Sequence, residues 1–547
     1  MPELREKNLR IGGAGVLAVL VFIGASVLLA AGQTSITTHH YDNYRTGWNQ
    51  TESVLTPANV GKKTFGLLQT VTLDDQVDAQ PLVMPGVLIT AGNYQGTHDV
   101  VYVVTENNTV YAIDVHTGTV LLSPNFGPPV VYPLGCGNNG PNVGITSTPV
   151  IDPSSNTFYV MVYSQNQGGS PVYTLHALDL GSLTDKVTPQ VVTASHTLTD
   201  GTTFTFNATY ERQRPALLLA NGSIYAGFGS FCDLAGNLSR GWLLGWTAGS
   251  LTPFGSNELI DQQATDPDSF FLSSIWMSGY GPSTDDEGNI LFVTGNSDPN
   301  TYDGITNIQE SVVKMSSTLT TVLNVFTPSN QVTLDDEDGD FGSGGVLVLP
   351  DQPGSKPHLA VAAGKYGTMY LMNEDNLGGY STKKNNVLGS YSIGGCWCGE
   401  SYYVDPVDGL GRVVSSGGTQ VKVWRVETSP KAALEDLSTS PSNDGSQDPG
   451  FFTTVSSNGT ANPIIWALSH PPYLKIYLYA YTPDSGKKGT AIKELFSAAA
   501  GTWPNLGGNA NLIPVVANGQ VFVATYKQLE IFGLLAGAET KKTTKRK

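Results

Sequence analysis

The chain has 547 residues, with 29 basic and 46 acidic side chains, a net charge of −17 and only 14 % charged residues. A nucleic-acid partner needs basic side chains to neutralise its phosphates, and this balance argues against one. Four cysteines are too few for a fold that depends on a disulfide framework, while 62 glycines and 32 prolines call for many turns.

The first ten residues carry Arg5, Lys7 and Arg10, and residues 11–31 then run without a charge. This pattern sends the chain out of the cytoplasm, either as a signal removed after Ala30-Ala31-Gly32 or as a retained anchor, since at about 1.5 Å per residue the stretch is long enough to cross a bilayer. Residues 1–32 are therefore expected to be a signal peptide or membrane anchor, and 33–64 an extended lead-in. Residues 65–535 should form one repeat-built domain, and 536–547, with the run KKTTKRK, a basic disordered tail. The expected location is secreted, periplasmic or on the extracellular face of a membrane, touched only through the N-terminal segment.

The segment Phe65 to Leu73 reads as a strand without a repeat of its own. Val100 to Leu122 follows, with Val100, Tyr102 and Val104 on one pleat face, Tyr111 and Ile113 repeating the alternation, and Asn107-Asn108 suited to the hairpin turn between them. Only a sheet uses period-two patterning. Pro81, Pro149, Pro215 and Pro282 each stand at the entry to an apolar strand, where a missing N–H does least harm, and each is followed by a hairpin. A fifth copy is LAVAAGKYGTMYLMN, and looser copies run from YYVDPVDGLGRVVSS, NPIIWALS and LIPVVANGQVFVA, which brings the count to eight. The eighth lacks an outer strand after Leu535. Pairing of the two ends would supply it, and the predicted fold is an all-β, eight-bladed β-propeller closed by its N- and C-terminal strands.

Other features are local. Cys136 and Cys232 are candidates for one bridge, whereas Cys396 and Cys398, in GGCWCGESYY, read as buried small side chains. No G-x-S-x-G elbow, P-loop, H-E-x-x-H or G-x-G-x-x-G stands in a catalytic context. The dense acidic loop LDDEDGDFG, residues 334–342, is not an EF-hand, because Phe341 follows Asp340 and no bidentate acid falls in place.

YAIDVHTG is similar to the A-x-D-x-x-T-G core of the repeat in quinoprotein dehydrogenases, eight-bladed enzymes that hold pyrroloquinoline quinone. The docking tryptophan that ends this repeat is Leu122 here. VTGNSDPN resembles the family's calcium-ligating Gly-Asn, which implies Asn296 as a ligand. Trp276, about twenty residues upstream, falls where the family keeps a tryptophan under the quinone ring. EDGDFGSGGVLVL resembles the family's Trp-Asp-x-Asp loop without its tryptophan, which implies Asp338 or Asp340 as the catalytic carboxylate. AAGKYGTMYLMN resembles the segment with the basic residue at the quinone carbonyl, here Lys365.

FGSFCDLAGNLSRGW implies Asp233 as the glutamate-equivalent ligand, with Leu234 to Ser239 as an insertion. LGCGNNGPNVG lies where the family has adjacent cysteines, but only Cys136 is present, so a vicinal disulfide is excluded. The implied site is thus Asp338 and Asp340 for catalysis, Trp276, Lys365, Arg214 and Cys136 around the quinone, and Asp233, Asn296 and Asp340 on calcium. Arg214 would pair with a cofactor carboxylate. The implied reaction is oxidation of a small alcohol or sugar hydroxyl, with electrons leaving to a separate acceptor because no C-x-x-C-H haem site is present. Two other readings stay open: a non-catalytic propeller that binds a protein partner, and a carbohydrate hydrolase or lyase, for which the sequence offers no specific acid pair.

Overall fold

The computed structural model describes residues 33–137, 140–254, 262, 273–298, 301–394, 399–416, 418–442, 450–469, 474–484, 486–504 and 511–536. The signal or anchor segment, the basic tail, Cys396 and Cys398 lie outside them. No helix among the described residues is long and apolar enough to cross a membrane.

Eight sheets of four or five strands follow one another along the chain as the blades of a propeller. The first blade is Leu82–Ile89, Gly96–Val104, Val110–Asp114 and Val120–Leu122, each strand antiparallel to the next. Alternation places Val100, Tyr102 and Val104 in the layer shared with the second blade, while Val101 and Val103 pack toward the eighth. The four marker prolines precede the innermost strands Leu82–Ile89, Val150–Asp152, Leu218–Ala220 and Ser283–Thr284. Closure follows the expected route: Phe65–Gln76 pairs antiparallel with Tyr526–Leu534, so the chain's first long strand is the outer strand of its last blade.

The lead-in is part of the ring. Ile36 exchanges backbone hydrogen bonds with Val83 of the first blade (2.8 and 2.9 Å), and Thr37 accepts one from Ile151 of the second (2.8 Å). Asn43 Nδ2 donates to Leu219 of the third (2.9 Å). The carbonyls of Asn43, Tyr44, Thr46 and Gly47 then accept from Thr284, Val348, Tyr402 and Val455, one in each of blades four to seven. Asn49 Nδ2 ends the tour on Val516 of the eighth (2.9 Å). A segment with no strand period of its own thereby bonds to eight successive innermost strands, through its backbone on six of them and through the Asn43 and Asn49 side chains on the other two.

Arg45 is the rivet of this belt. It is 0 % exposed and donates to Thr38 Oγ1 (2.7 Å) and to the carbonyls of His39 (2.8 Å), Leu217 (3.2 Å) and Pro282 (3.0 Å). His39 and His40 stack on each other and meet Tyr280 edge-on. Burial pushes the His40 ring down to about 3, so it is a neutral packing element.

Candidate functional site

The loops after the second strand of the fourth blade and before the first strand of the fifth carry most of the candidates. Ile290–Val293 runs into Thr294-Gly295-Asn296, and the acidic segment opens the blade that begins with Val346–Val348. A short helix, Gln331–Asp336, leads into that segment; its single turn and a half is too brief to show a period in the sequence.

Asn296 is 1 % exposed and Asp340 4 %. The Asn296 N–H approaches Asp340 Oδ1 at 3.5 Å, and Asn296 Nδ2 approaches Asp338 Oδ1 at 3.4 Å. Lys365, just past Leu359–Ala363, reaches between the two acids, with Nζ 2.8 Å from Asp338 Oδ1 and 2.5 Å from Asp340 Oδ2. Trp276 joins them across Gly295. A Cβ at Gly295 would lie 3.1 Å from Trp276 Nε1 and 3.4 Å from Asp340 Oδ1, so a side chain there would wedge indole and carboxylate apart.

Electrostatics set the site's proton inventory. Burial, opposed by Lys365 and reinforced by Asp338 and Asp233, pushes Asp340 up to about 7. Burial works against the Lys365 charge, but Asp340 and Asp338 hold its pKa above the ordinary lysine value. Glu310 lies behind Asp340: its Oε2 accepts the Phe341 N–H at 2.5 Å, and burial and then Asp340 push its carboxyl well up. Asp335, which accepts the Ser297 N–H at 3.0 Å, is raised to about 8 by burial.

A second group faces it from the first and third blades. Arg214 is buried, with Nη1 3.5 Å from the Thr146 carbonyl and Nη2 without an acceptor. It packs on Gly279, where a Cβ would fall 2.2 Å from Nη1. The turn Met277–Gly279 therefore carries Trp276 at its start and supports Arg214 at its end. Arg214 and Arg212 both feel Asp78 and Glu106, and Arg212 also feels Asp233. Glu106 accepts from the Gly144 N–H (2.6 Å) and Thr146 Oγ1 (3.0 Å), and burial and Asp78 raise its carboxyl well above the ordinary range.

Cys136 is bonded to Cys232, across 96 residues of sequence. The bridge ties the loop between the first two blades to the third-blade loop that holds Asp233. Asp233 sits at the rim, with part of the residue open to solvent. Its carboxyl accepts from Ser230 Oγ (3.1 Å) and is pushed up to about 6, by desolvation of the carboxyl group first and by Asp338 second.

The fold thus brings Asn296, Asp338, Asp340, Lys365 and Trp276 into one cluster, with Asp233 within charge reach of Asp338. Arg214 stands in the neighbouring group and Cys136 in the bridge above the third blade. Among the described residues no three acidic, histidine or cysteine side chains converge as a metal-binding set. Sequence reading passes over Glu310, Asp335, Arg212 and Glu106. Glu310 and Glu106 are lone acids beside an apolar strand or turn, Asp335 and Arg212 sit inside charged runs whose other members match the family's motifs, and only the folded ring shows that all four point inward.

Three solved structures share this architecture. Quinohemoprotein alcohol dehydrogenase from Comamonas testosteroni aligns with a TM-score of 0.58 and 13 % identity, over 92 % of this chain and 81 % of that one. A quinohemoprotein alcohol dehydrogenase from Pseudomonas putida HK5 aligns with 0.58 and 14 %, over 91 % and 80 %. A europium-containing methanol dehydrogenase aligns with 0.55 and 11 %, over 91 % and 98 %. The fold is the quinoprotein dehydrogenase propeller. No protein-family model matches the chain, and no curated protein sequence does. At such identities the likeness to quinoprotein dehydrogenases is one of fold, and the chemistry has to be argued from the cluster itself.

Proposed function

We propose that this quinoprotein-type propeller is a dehydrogenase that acts outside the cytoplasm, oxidises the hydroxyl of a small alcohol or sugar with pyrroloquinoline quinone and calcium, and passes electrons to a separate acceptor. The observation that carries the reading is the bridging of Asp338 and Asp340 by Lys365 beside the buried, unpartnered Asn296 Oδ1. A buried amide oxygen without a donor suits a cation, and the buried Arg214 Nη2 without an acceptor suits an anionic ligand group. The residues present fit the cofactor pair on that test.

Bound there, the quinone supplies a two-electron acceptor and calcium a Lewis acid. Asn296 Oδ1, Asp233 and a loop carboxylate would hold the cation, three of the donor groups among the about six to eight oxygens that calcium takes. Arg214 would hold a cofactor carboxylate in a charge-assisted bond. Trp276 would offer its face to a planar ring. Asp340, raised to about 7, has the basicity to take a hydroxyl proton near neutral pH, and it would act as general base. Asp338, open to solvent, is then the loop carboxylate left for the cation. Lys365 stabilises negative charge on whichever oxygen it faces and keeps Asp340 from protonating further.

The test is a calorimetric titration of the protein with pyrroloquinoline quinone in the presence of calcium, comparing the parent with Asn296→Ala and Lys365→Ala. Tight binding weakened by both substitutions is expected. A folded protein that binds no quinone would overturn the reading. It would favour the alternative, a propeller that serves as a binding scaffold, for which the missing docking tryptophan at Leu122 and the Cys136–Cys232 pairing already speak.

A further inference from the structure

The face opposite the candidate site carries a cavity of about 290 Å³ between the fourth and fifth blades. The strand Ile290–Val293 connects the two: it leads to Asn296 at one end and starts from the turn Asp285 to Asn289 at the other. Six carboxylates line the cavity, from Asp285, Asp286, Glu287, Asp351, Glu374 and Asp375. Lys314 is the only lysine or arginine in the lining.

Most of these acids are already engaged. Asp285 pairs with Lys314 Nζ at 2.6 Å and caps its own turn through the N–H groups of Glu287 (3.0 Å) and Asn289 (2.8 Å). Asp286 accepts from the Tyr44 hydroxyl, Glu287 from Asn289 Nδ2 (3.1 Å), and Asp375 from His358 Nδ1 (2.8 Å). Glu374 differs. It is 5 % exposed and faces the cavity, yet its carboxyl has no hydrogen bond or ion pair among the described residues. The nearby Lys314 Nζ instead approaches the Glu374 backbone carbonyl at 3.4 Å. Burial pushes the carboxyl up to about 8, with Lys314 opposing and Asp285, Asp286 and Asp375 adding to the rise.

A largely buried carboxyl that opens only onto an acidic cavity and has no side-chain partner ionises at a cost unless something cationic meets it. No three of the acids converge tightly enough for a metal ion. The negative charge is spread along the wall, which suits a cation on an extended organic chain better than a point charge. A second cavity of about 380 Å³ shares Tyr44, Asp285, Asp286 and Glu287 and continues past Asp42 and Asn43, so the acidic lining extends beyond one pocket.

We propose that this cavity is a binding site for a small aliphatic amine, with one ammonium seated on Glu374 and the chain lying along the Asp285 to Glu287 turn. The probe is 1,4-diaminobutane, titrated calorimetrically into the full chain at low ionic strength, with calcium chloride as the competing arm. Saturable one-to-one binding is expected, weakened about tenfold or more by Glu374→Gln. Glu374→Gln replaces an unpartnered carboxyl with a neutral amide of the same shape and should leave thermal stability unchanged or raised. Glu287→Gln, at an exposed position, guards against a folding failure at the deeper site and should weaken binding by a smaller factor. At neutral pH the parent should also release a proton on binding, read from heats in two buffers, and Glu374→Gln should not. Absence of saturable binding, equal affinity in Glu374→Gln, or calcium binding there in place of the diamine would each overturn the proposal.

Discussion

Single side chains in this propeller are tuned mainly by burial, and Glu400 shows this without a neighbouring charge to complicate it. It is fully buried, both carboxylate oxygens lack partners, and burial raises its carboxyl from 4.5 to about 8. A carboxyl raised in the folded state binds its proton more tightly there than in the unfolded chain, so stability falls as pH rises between 4.5 and about 8. Glu400→Gln should remove that loss: above the raised value its unfolding free energy should exceed the parent's by on the order of a few kcal/mol, with a higher thermal midpoint, and near the ordinary carboxylate value the two should match. Equal pH profiles would contradict this. Lys365 makes the opposite case, because a charge holds a neighbour down. Lys365→Met should lift the Asp340 titration, now about 7, further upward, which carboxyl-resolved NMR or infrared titration would register.

Elements differ in how they announce themselves. Paired strands are legible in the sequence because period-two alternation and marker prolines are local facts, and the blade from Leu82 to Leu122 follows them. The belt from Ile36 to Asn49 is not legible. Its hydrogen bonds go to eight different strands spread along the whole ring, and HHYDNYRTGWN carries no period that would show this. For the same reason the site is half visible: Asn296, Asp338, Asp340 and Lys365 stand in motif order, while Glu310 is one acid before an apolar strand.

The belt's dependence on Arg45 is open to direct test. Arg45→Met should leave the Thr38 hydroxyl and three carbonyls without their donor, costing about 3 to 5 kcal/mol in urea denaturation, and Arg45→Lys should recover only part of it because one ammonium cannot replace a fork. A loss below about 1 kcal/mol would mean that the belt is held by its backbone bonds alone. The Cys136–Cys232 bridge closes a loop of 96 residues, and its reduction should lower stability by up to about 4 to 5 kcal/mol and loosen Asp233, so that any calcium-dependent quinone binding weakens with it.

At the scale of the whole ring, everything converges on one seam. Seven blades are each built from consecutive strands with at most one short piece borrowed from elsewhere, whereas the eighth takes its outer strand from the other end of the chain. Phe65, from the opening strand, stacks on Phe532 of the closing strand at 6.3 Å and meets Phe496 edge-on at 5.0 Å, and all three are buried with Trp466 between the seventh and eighth blades. Removing the Phe532 ring should cost about 3 to 5 kcal/mol, as should removing Phe65, and because the rings touch, the double variant should lose less than the sum. The kinetics should be more telling than the equilibrium. An open ring exposes two blade faces at once, so loss of the seam precedes loss of the blades, and Phe532→Ala should speed unfolding far more than an equally costly substitution at another blade interface, such as Phe158→Ala between the first and second. Equal unfolding rates for the two would show that the ring opens anywhere, and that closure by Phe65–Gln76 is one interface among eight rather than the lock.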